Sequence, residues 1–484
     1  MPIAAFPAPT DTAPARAGIE ERLGALIRLA TVSSEPDERA AAAFGAVPPL
    51  LRECYPLLHE RLELQPTGGR VLVFRWAPRA PSLAAPVVLM AHFDVVASTG
   101  QEWSFEPFVG DVIDGRVRGR GAIDDKGALV TLLDAVENLL AEGFEPAREV
   151  WLCLGGDEEV DGVAAAAVAE GFRARGVVPW FVVDEGGAVT DLPIPGVSGA
   201  FGMVGLTEKG VLNVRLETEG TGGHASAPPR LTAAGRIARA VQRVQSRPFP
   251  ARLSRTVAGL LTRLAAQADG PARRLLPVAA AAGPLTARLA TLAGPELAAM
   301  VRTTVAVTGL AGGTQANVLP SAASATLNIR IAPGETIAGV VARLERVIAD
   351  PDVRVHVLSG TEPSPESPTD SEPWALLGRA ADAAYPGLVC LPFVVTAATD
   401  SLDGYIATTR GESCFVTGPE NILHLHCLRA LCDAVLVGAE TVAADDPRLT
   451  TRLVPGDNPV RVVLDPRRRL PVERRVFQDG AAPT

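Results

Sequence analysis

Four short stretches hold residues able to do chemistry. "HFD" places His92 and Asp94 two residues apart, and "GRGAIDDKG" presents Asp124 and Asp125 after two glycines. "GGDEEVDG" carries Glu158 and Glu159, and "VVDEGG" adds Asp184 and Glu185. The histidine stretch and the last two follow apolar runs of strand type, and open α/β sheets build their sites at the C-terminal ends of strands. Residues i and i+2 of a strand point the same way, so His92 can offer a ring nitrogen to a metal while Asp94 supports it from behind. Adjacent acids at a strand end can divide their roles, one binding metal and one holding a water. Alone, a His-x-Asp is usually a surface or core pair, and acidic doublets are usually solvated turns. Together, carboxylates with one histidine and no thiol suit a catalytic zinc pair better than a structural cysteine site. Two such ions share a bridging carboxylate and polarise one water.

The elements that must position these groups can be read from hydrophobic spacing. "AGIEERLGALIRLATVSS" predicts an opening amphipathic helix. "RVLVFRWA", "APVVLMAHFDVV", "EVWLCLGGDEE" and "PWFVVDEGG" read as strands, and the continuous apolar runs among them suit burial on both faces. "GALVTLLDAVENLLAEG" and "AAAAVAEGFRARG" read as helices between them, giving an α/β domain with a mixed, mostly parallel sheet. After "GLTEKG" the order becomes β-α-β-β-α-β, the split ferredoxin-like unit, interrupted over about residues 250–300 by helical Ala/Leu/Arg patterns. The predicted division is a catalytic domain over 1–205 and 361–401, a lid and dimerisation domain over 206–360, and a C-terminal segment over 402–484.

Composition narrows the function classes. The chain has 484 residues, is 47% hydrophobic and carries a net charge of −10, which argues against nucleic acid and anionic membranes as partners. Six cysteines without CxxC spacing suggest reduced thiols in the cytoplasm. The N-terminal stretch has no charged start followed by an apolar core, so no signal peptide is expected. His59 and His356 lie outside every motif and are expected to be structural.

"AHFDVV", "GRGAIDDKG", "DEEVDG", "DEGG" and "GHASAPP", in this order, resemble the zinc peptidase and deacylase family of carboxypeptidase S, aminoacylase, acetylornithine deacetylase and succinyl-diaminopimelate desuccinylase. The likeness covers about residues 18–401 and is strongest to the carboxypeptidase S-like branch. It implies two zinc ions per chain, with His92 and Asp124 as ligands and Asp124 bridging. Asp94 orients His92, and Glu159 binds one ion. Asp184 joins His92 on the other ion, with Glu185 as the alternative. Glu158 is implied as the general base toward water and later the acid toward the leaving amine. His224, in the lid, is implied to cross a dimer interface and stabilise the oxyanion. Asn317 and Arg330 match lid positions that hold substrate, Arg330 being suited to a carboxylate. The implied substrate is a peptide or N-acyl amino acid with a free carboxylate, and the implied assembly is a homodimer through the lid.

The family's last ligand is a histidine after "TDS", normally followed by Gly and an Asn-Glu pair. Here "TAATDS" is present at 396–401, but Leu402 follows it, and His426 is succeeded by Cys427, Leu428 and Arg429. His426 is the candidate ligand, with His424 behind it. The stretch from "SLDGYIATTRGES" to "NPVRVVLDP" resembles the start of the riboflavin-biosynthesis reductase domain, of dihydrofolate-reductase-like fold, over about 392–484. That resemblance places Asp403, Thr441, Asp445 and Asp446 at a nicotinamide-nucleotide and substrate site. The later strands of that fold do not follow, so NADP binding is expected to be poor. The sequence reads as a hydrolase joined near "TDS" to the front of a reductase. The competing expectations are a reductase activity from the C-terminal segment, or a hydrolase left with one zinc or none.

Overall fold

Strands Val71–Trp76 and Val150–Gly155 each send alternate side chains to opposite sides. Phe74, Trp76, Leu152 and Leu154 join one hydrophobic cluster, whereas Val71, Val73, Trp151 and Cys153 join another. Burial on both faces is why these strands read as unbroken apolar runs. The computed structural model describes residues 16–396, apart from 36, 68, 69, 100, 102, 161, 193 and 314, together with parts of 434–480.

One compact unit includes residues from Pro14 to Glu185. Its five-stranded sheet runs in the order Glu63–Leu64, Val71–Trp76, Val150–Gly155, Val87–His92, Phe181–Val183. The first two pairings are antiparallel and the last two parallel. The parallel pairings align the strands that end at His92, Gly155 and Val183, with His92 directly opposite Gly155. On one face the helix Lys126–Ala141 buries Leu129, Val130, Leu133, Val136 and Leu140, a stripe at helical spacing. Glu137 of that helix is also buried, and its carboxylate accepts the N–H groups of Leu57 and Leu58 at the start of the helix Pro56–Arg61. On the other face the helix Val163–Ala174 packs Ala164 and Phe172 against Trp151 and Cys153.

A second compact unit begins at Gly186. It contains the predicted β-α-β-β-α-β order as Gly210–Glu219, Ala233–Ser246, Thr304–Ala311, Ala322–Ile331, Ile337–Ile348 and Arg354–Thr361. The four strands form one antiparallel sheet. Both helices start on threonine caps: Thr232 accepts the N–H of Gly235, and Thr336 accepts that of Gly339. Four helices between Arg255 and Val301 form the predicted insertion. A separate sheet pairs Val389–Val395 in parallel with Phe201–Glu208. In the C-terminal segment, Ala434–Gly438 pairs in parallel with Val460–Leu464. Among the described residues no helix is long and apolar enough to cross a membrane.

Candidate metal centre

The strand carrying His92 stops at that residue, so Asp94 lies beyond its end rather than two places along it. The expected pairing nevertheless forms. His92 is buried, and its Nδ1 lies 3.1 Å from the backbone carbonyl of Asp94 and 3.3 Å from Asp94 Oδ1. A proton held on Nδ1 leaves Nε2 as the ligand atom. Nε2 faces Asp124 Oδ1 at 3.1 Å, Glu185 Oε1 at 3.0 Å and Glu158 Oε2 at 3.8 Å.

Asp94 does more than orient the imidazole. It is fully buried, its Oδ1 accepts the backbone N–H of Glu158 at 3.1 Å, and its Oδ2 accepts that of Glu159 at 3.1 Å. One carboxylate therefore fixes the histidine and the acidic doublet together. Burial alone would raise its pKa, but the contact with His92 outweighs this and lowers it. Asp125, also buried, accepts the backbone N–H of His92 at 3.0 Å. It stands at the N-terminus of the helix Lys126–Ala141 but makes no capping bond there, its carboxylate being committed to the site. The peptide bond between Asp124 and Asp125 is cis. Lys126 is fully buried and donates to the carbonyls of Leu26 and Leu29, at the end of the opening helix. The role of Asp125 and the anchoring by Lys126 were not read from the motif, although both residues belong to "DDKG".

The electrostatics follow from crowding acids in a partly dry place. Burial raises Glu158 to about 6 and Glu159 to about 7, and neighbouring carboxylates add to both shifts. Burial alone would lower His92, but hydrogen bonds to Asp124, Asp94 and Glu185 raise it well above its ordinary value. A divalent cation relieves this repulsion. The residues fit one: ligand atoms of His92, Asp124 and Glu185 all lie within 4.8 Å of one another. Asp184 is not in that group, and its Oδ1 instead accepts the N–H of Glu185. An apolar cavity of about 450 Å³ adjoins the centre, walled by Val88, Met90, Val168 and Phe172, with His92, Glu158 and Asp184 also lining it.

The lid candidates are placed as follows. His224 is exposed in a two-residue strand paired with Val318–Leu319, opposite Val318 itself. Its Nδ1 is 2.7 Å from Ser226 Oγ. Asn317 lies beside it, its carbonyl accepting the N–H of Ala225. Arg330 pairs with Thr304 and Val211, near the far end of the strand Ala322–Ile331, so one chain does not bring it to His224. His59 Nδ1 contacts the Tyr55 carbonyl and its ring meets Phe74 edge-on; His356 faces Glu217 at 3.4 Å. His424, His426, Asp403, Thr441, Asp445 and Asp446 lie outside the described residues.

Fold and acidic centre together define a metallohydrolase. The peptidase dimerisation domain model matches residues 206–356, and the RibD C-terminal domain model matches residues 392–484. The N-fatty-acyl-amino acid synthase/hydrolase PM20D1 of Homo sapiens is 34% identical over 397 residues, covering 80% of this chain and 78% of that protein. The probable carboxypeptidase S-like 2 of Dictyostelium discoideum is 34% identical over 356 residues, covering 72% and 68%. Carboxypeptidase S of Saccharomyces cerevisiae is 27% identical over 404 residues, covering 74% and 69%. Among solved structures, the metallo-carboxypeptidase Sso-CP2 of Sulfolobus solfataricus aligns with a TM-score of 0.52 at 20% identity, covering 78% of this chain and 85% of that one. The chain belongs to the M20 family of metallopeptidases and amidohydrolases, fused to a segment of RibD C-terminal type.

Proposed function

We propose that this protein hydrolyses the amide bond of an N-acyl amino acid or peptide that carries a free carboxylate, using two zinc ions. The observation that carries the reading is the shared anchoring by Asp94 of His92, Glu158 and Glu159. His92, Asp124 and Glu185 would hold one ion, with Glu185 taking the place first given to Asp184. Asp124, Glu159 and His426 would hold the other. Bound zinc supplies Lewis-acid polarisation of the scissile carbonyl and of a water.

The chain's own groups supply the proton chemistry. Glu158, whose Oε2 lies 3.8 Å from His92 Nε2, is placed to take a proton from water at its carboxylate and return it to the departing amine. Asp94 and Asp125 keep His92 and the acidic doublet in place throughout. His224 makes no hydrogen bond through Nε2 among the described residues, and we assign that atom to the oxyanion in the site of a dimer partner. Asn317, beside it, would hold substrate there, and Arg330 would bind the substrate carboxylate. The apolar cavity supports an apolar acyl group or side chain next to the scissile bond. The name of the human relative, which specifies fatty-acyl amino acids, points the same way. Among the described residues Cys54, Cys153 and Cys390 form no disulfide, which supports a reducing, cytoplasmic setting.

Zinc per chain, measured by elemental analysis for the wild type and His426→Ala, tests the reading together with hydrolysis of N-acyl amino acids. Two ions falling to one in the variant, with turnover in the wild type, is the expected result. A wild type without zinc or without hydrolysis overturns it. The match to the RibD C-terminal domain favours a second reading for the tail, nicotinamide-nucleotide binding. NADPH titration by fluorescence tests it, and no binding at millimolar concentration removes it.

A further inference from the structure

The helices Gly270–Ala281 and Gly283–Ala293 are inverted with respect to the usual amphipathic pattern. Their inner face is mostly small: Ala272 and Leu276 pack on one core cluster of their unit, and Ala287 and Ala290 on another. Ala287 is 0% exposed, whereas Leu289 and Leu292 beside it are 56% and 80% exposed. Leu285, Leu289 and Leu292 recur at i, i+4 and i+7, so they form one outward stripe. Leu275 and Val278 present the same character on the preceding helix, each 63% exposed. The chain turns by 113° between the two helices. A soluble helix normally hides its leucines and shows its small and polar residues. Large apolar residues gathered on an outer face mark an interaction surface.

Charge selects the occupant. Between residues 270 and 294 the sequence has Arg273, Arg274 and Arg288 and no acid, in a chain whose net charge is −10. All three arginines are exposed, and none forms an ion pair among the described residues. Outward leucines flanked by arginines are the pattern of a helix lying in an anionic lipid interface, where leucines enter the acyl boundary and guanidinium groups stay among the headgroups. A second copy of this chain fits less well. A two-fold contact between identical hairpins sets these arginines against their own copies, with no acid in the hairpin to offset them.

We propose that the helical hairpin 270–293 docks this protein onto an anionic lipid bilayer without spanning it. The net charge that argued against a membrane partner averages over the whole chain, whereas the hairpin departs from it locally. The cytoplasmic leaflet is the anionic face of a cell membrane, in keeping with the compartment proposed above.

Flotation of the full-length protein with phosphatidylcholine vesicles, with and without phosphatidylserine, tests the proposal. The protein is expected to float with the phosphatidylserine vesicles, far less with the neutral ones, and to be released by high salt. Leu289→Gln with Leu292→Gln, and separately Arg273→Gln, Arg274→Gln and Arg288→Gln together, should each weaken binding at least about tenfold, with circular dichroism unchanged. No flotation at low salt overturns the proposal, as does flotation that survives both sets of substitutions. A leucine variant that instead converts a dimer to a monomer in analytical ultracentrifugation assigns the hairpin to self-association and also overturns it.

Discussion

The metal centre and the helical hairpin break the same rule in opposite directions. At the centre, His92, Asp94 and Asp125 carry charge or polarity into the interior. On the hairpin, Leu289 and Leu292 carry hydrocarbon out to solvent. Both arrangements cost stability, since buried charge needs partners and exposed leucine forgoes burial. The difference lies in what compensates. Inside, each buried group has a partner within the chain: His92 has Asp94, Asp94 has two backbone N–H groups, and Asp125 has the N–H of His92. Among the described residues the hairpin's leucines have no such internal compensation, and the partner proposed for them lies outside the chain. A site built to do chemistry is over-determined from within, whereas a surface built to dock leaves its stabilisation to be supplied on contact.

The strongest way to break this comparison is at Glu158. Glu158→Gln keeps the shape and the backbone contact to Asp94 but removes the proton carrier, so kcat should fall about 10²- to 10⁴-fold with zinc content unchanged. A variant that keeps its turnover removes Glu158 from the chemistry. Asp94→Ala strips support from His92 and from both acids at once. It should weaken zinc binding about 10- to 100-fold and lower the melting temperature, as read by metal titration and thermal unfolding. An equal loss of stability with unchanged zinc affinity would make Asp94 a purely structural residue.

A pH series sharpens the contrast further. In the chelated protein Glu158 and Glu159 stand raised, to about 6 and about 7, above an ordinary value of 4.5. A carboxylate raised in the folded state binds more protons folded than unfolded, so its contribution to stability is greatest below its unfolded pKa. Metal-free protein should therefore lose stability as pH rises from about 4.5 through 7, and zinc should flatten that decline. A metal-free protein that gains stability over this window contradicts the crowded-acid description. The smallest effect belongs to the hairpin: Leu289→Gln with Leu292→Gln should change folding stability by no more than about 0.5 kcal/mol per site in denaturant unfolding, because both side chains are mostly exposed.

Most of the catalytic framework was legible in the sequence because buried parallel strands leave a plain mark. Apolar runs ending at His92, Gly155 and Val183 located three strand ends, and the acids beyond them marked the centre. Three features were not legible. Spacing cannot tell which of Asp184 and Glu185 faces His92; that depends on Asp184 turning back to accept the N–H of Glu185. Asp125 stood in the sequence only as the second carboxylate of "DDKG", and only tertiary contact shows it accepting the N–H of His92. The helix Glu38–Cys54, not read from the sequence, contains Pro48 and Pro49, residues that ordinarily end or kink a helix, yet its buried stripe of Ala40, Phe44, Val47 and Leu51 and the Asp37 cap carry it through. The insertion was visible as helical, but exposure is what reveals its leucines on the outside.

The most direct test of the account is zinc stoichiometry in Glu185→Ala and Asp184→Ala, measured side by side by elemental analysis on folded protein. The account predicts that Glu185→Ala loses one equivalent of zinc relative to the wild type and that Asp184→Ala keeps the full complement. A loss confined to Asp184→Ala, or a wild type that binds no zinc, would contradict it.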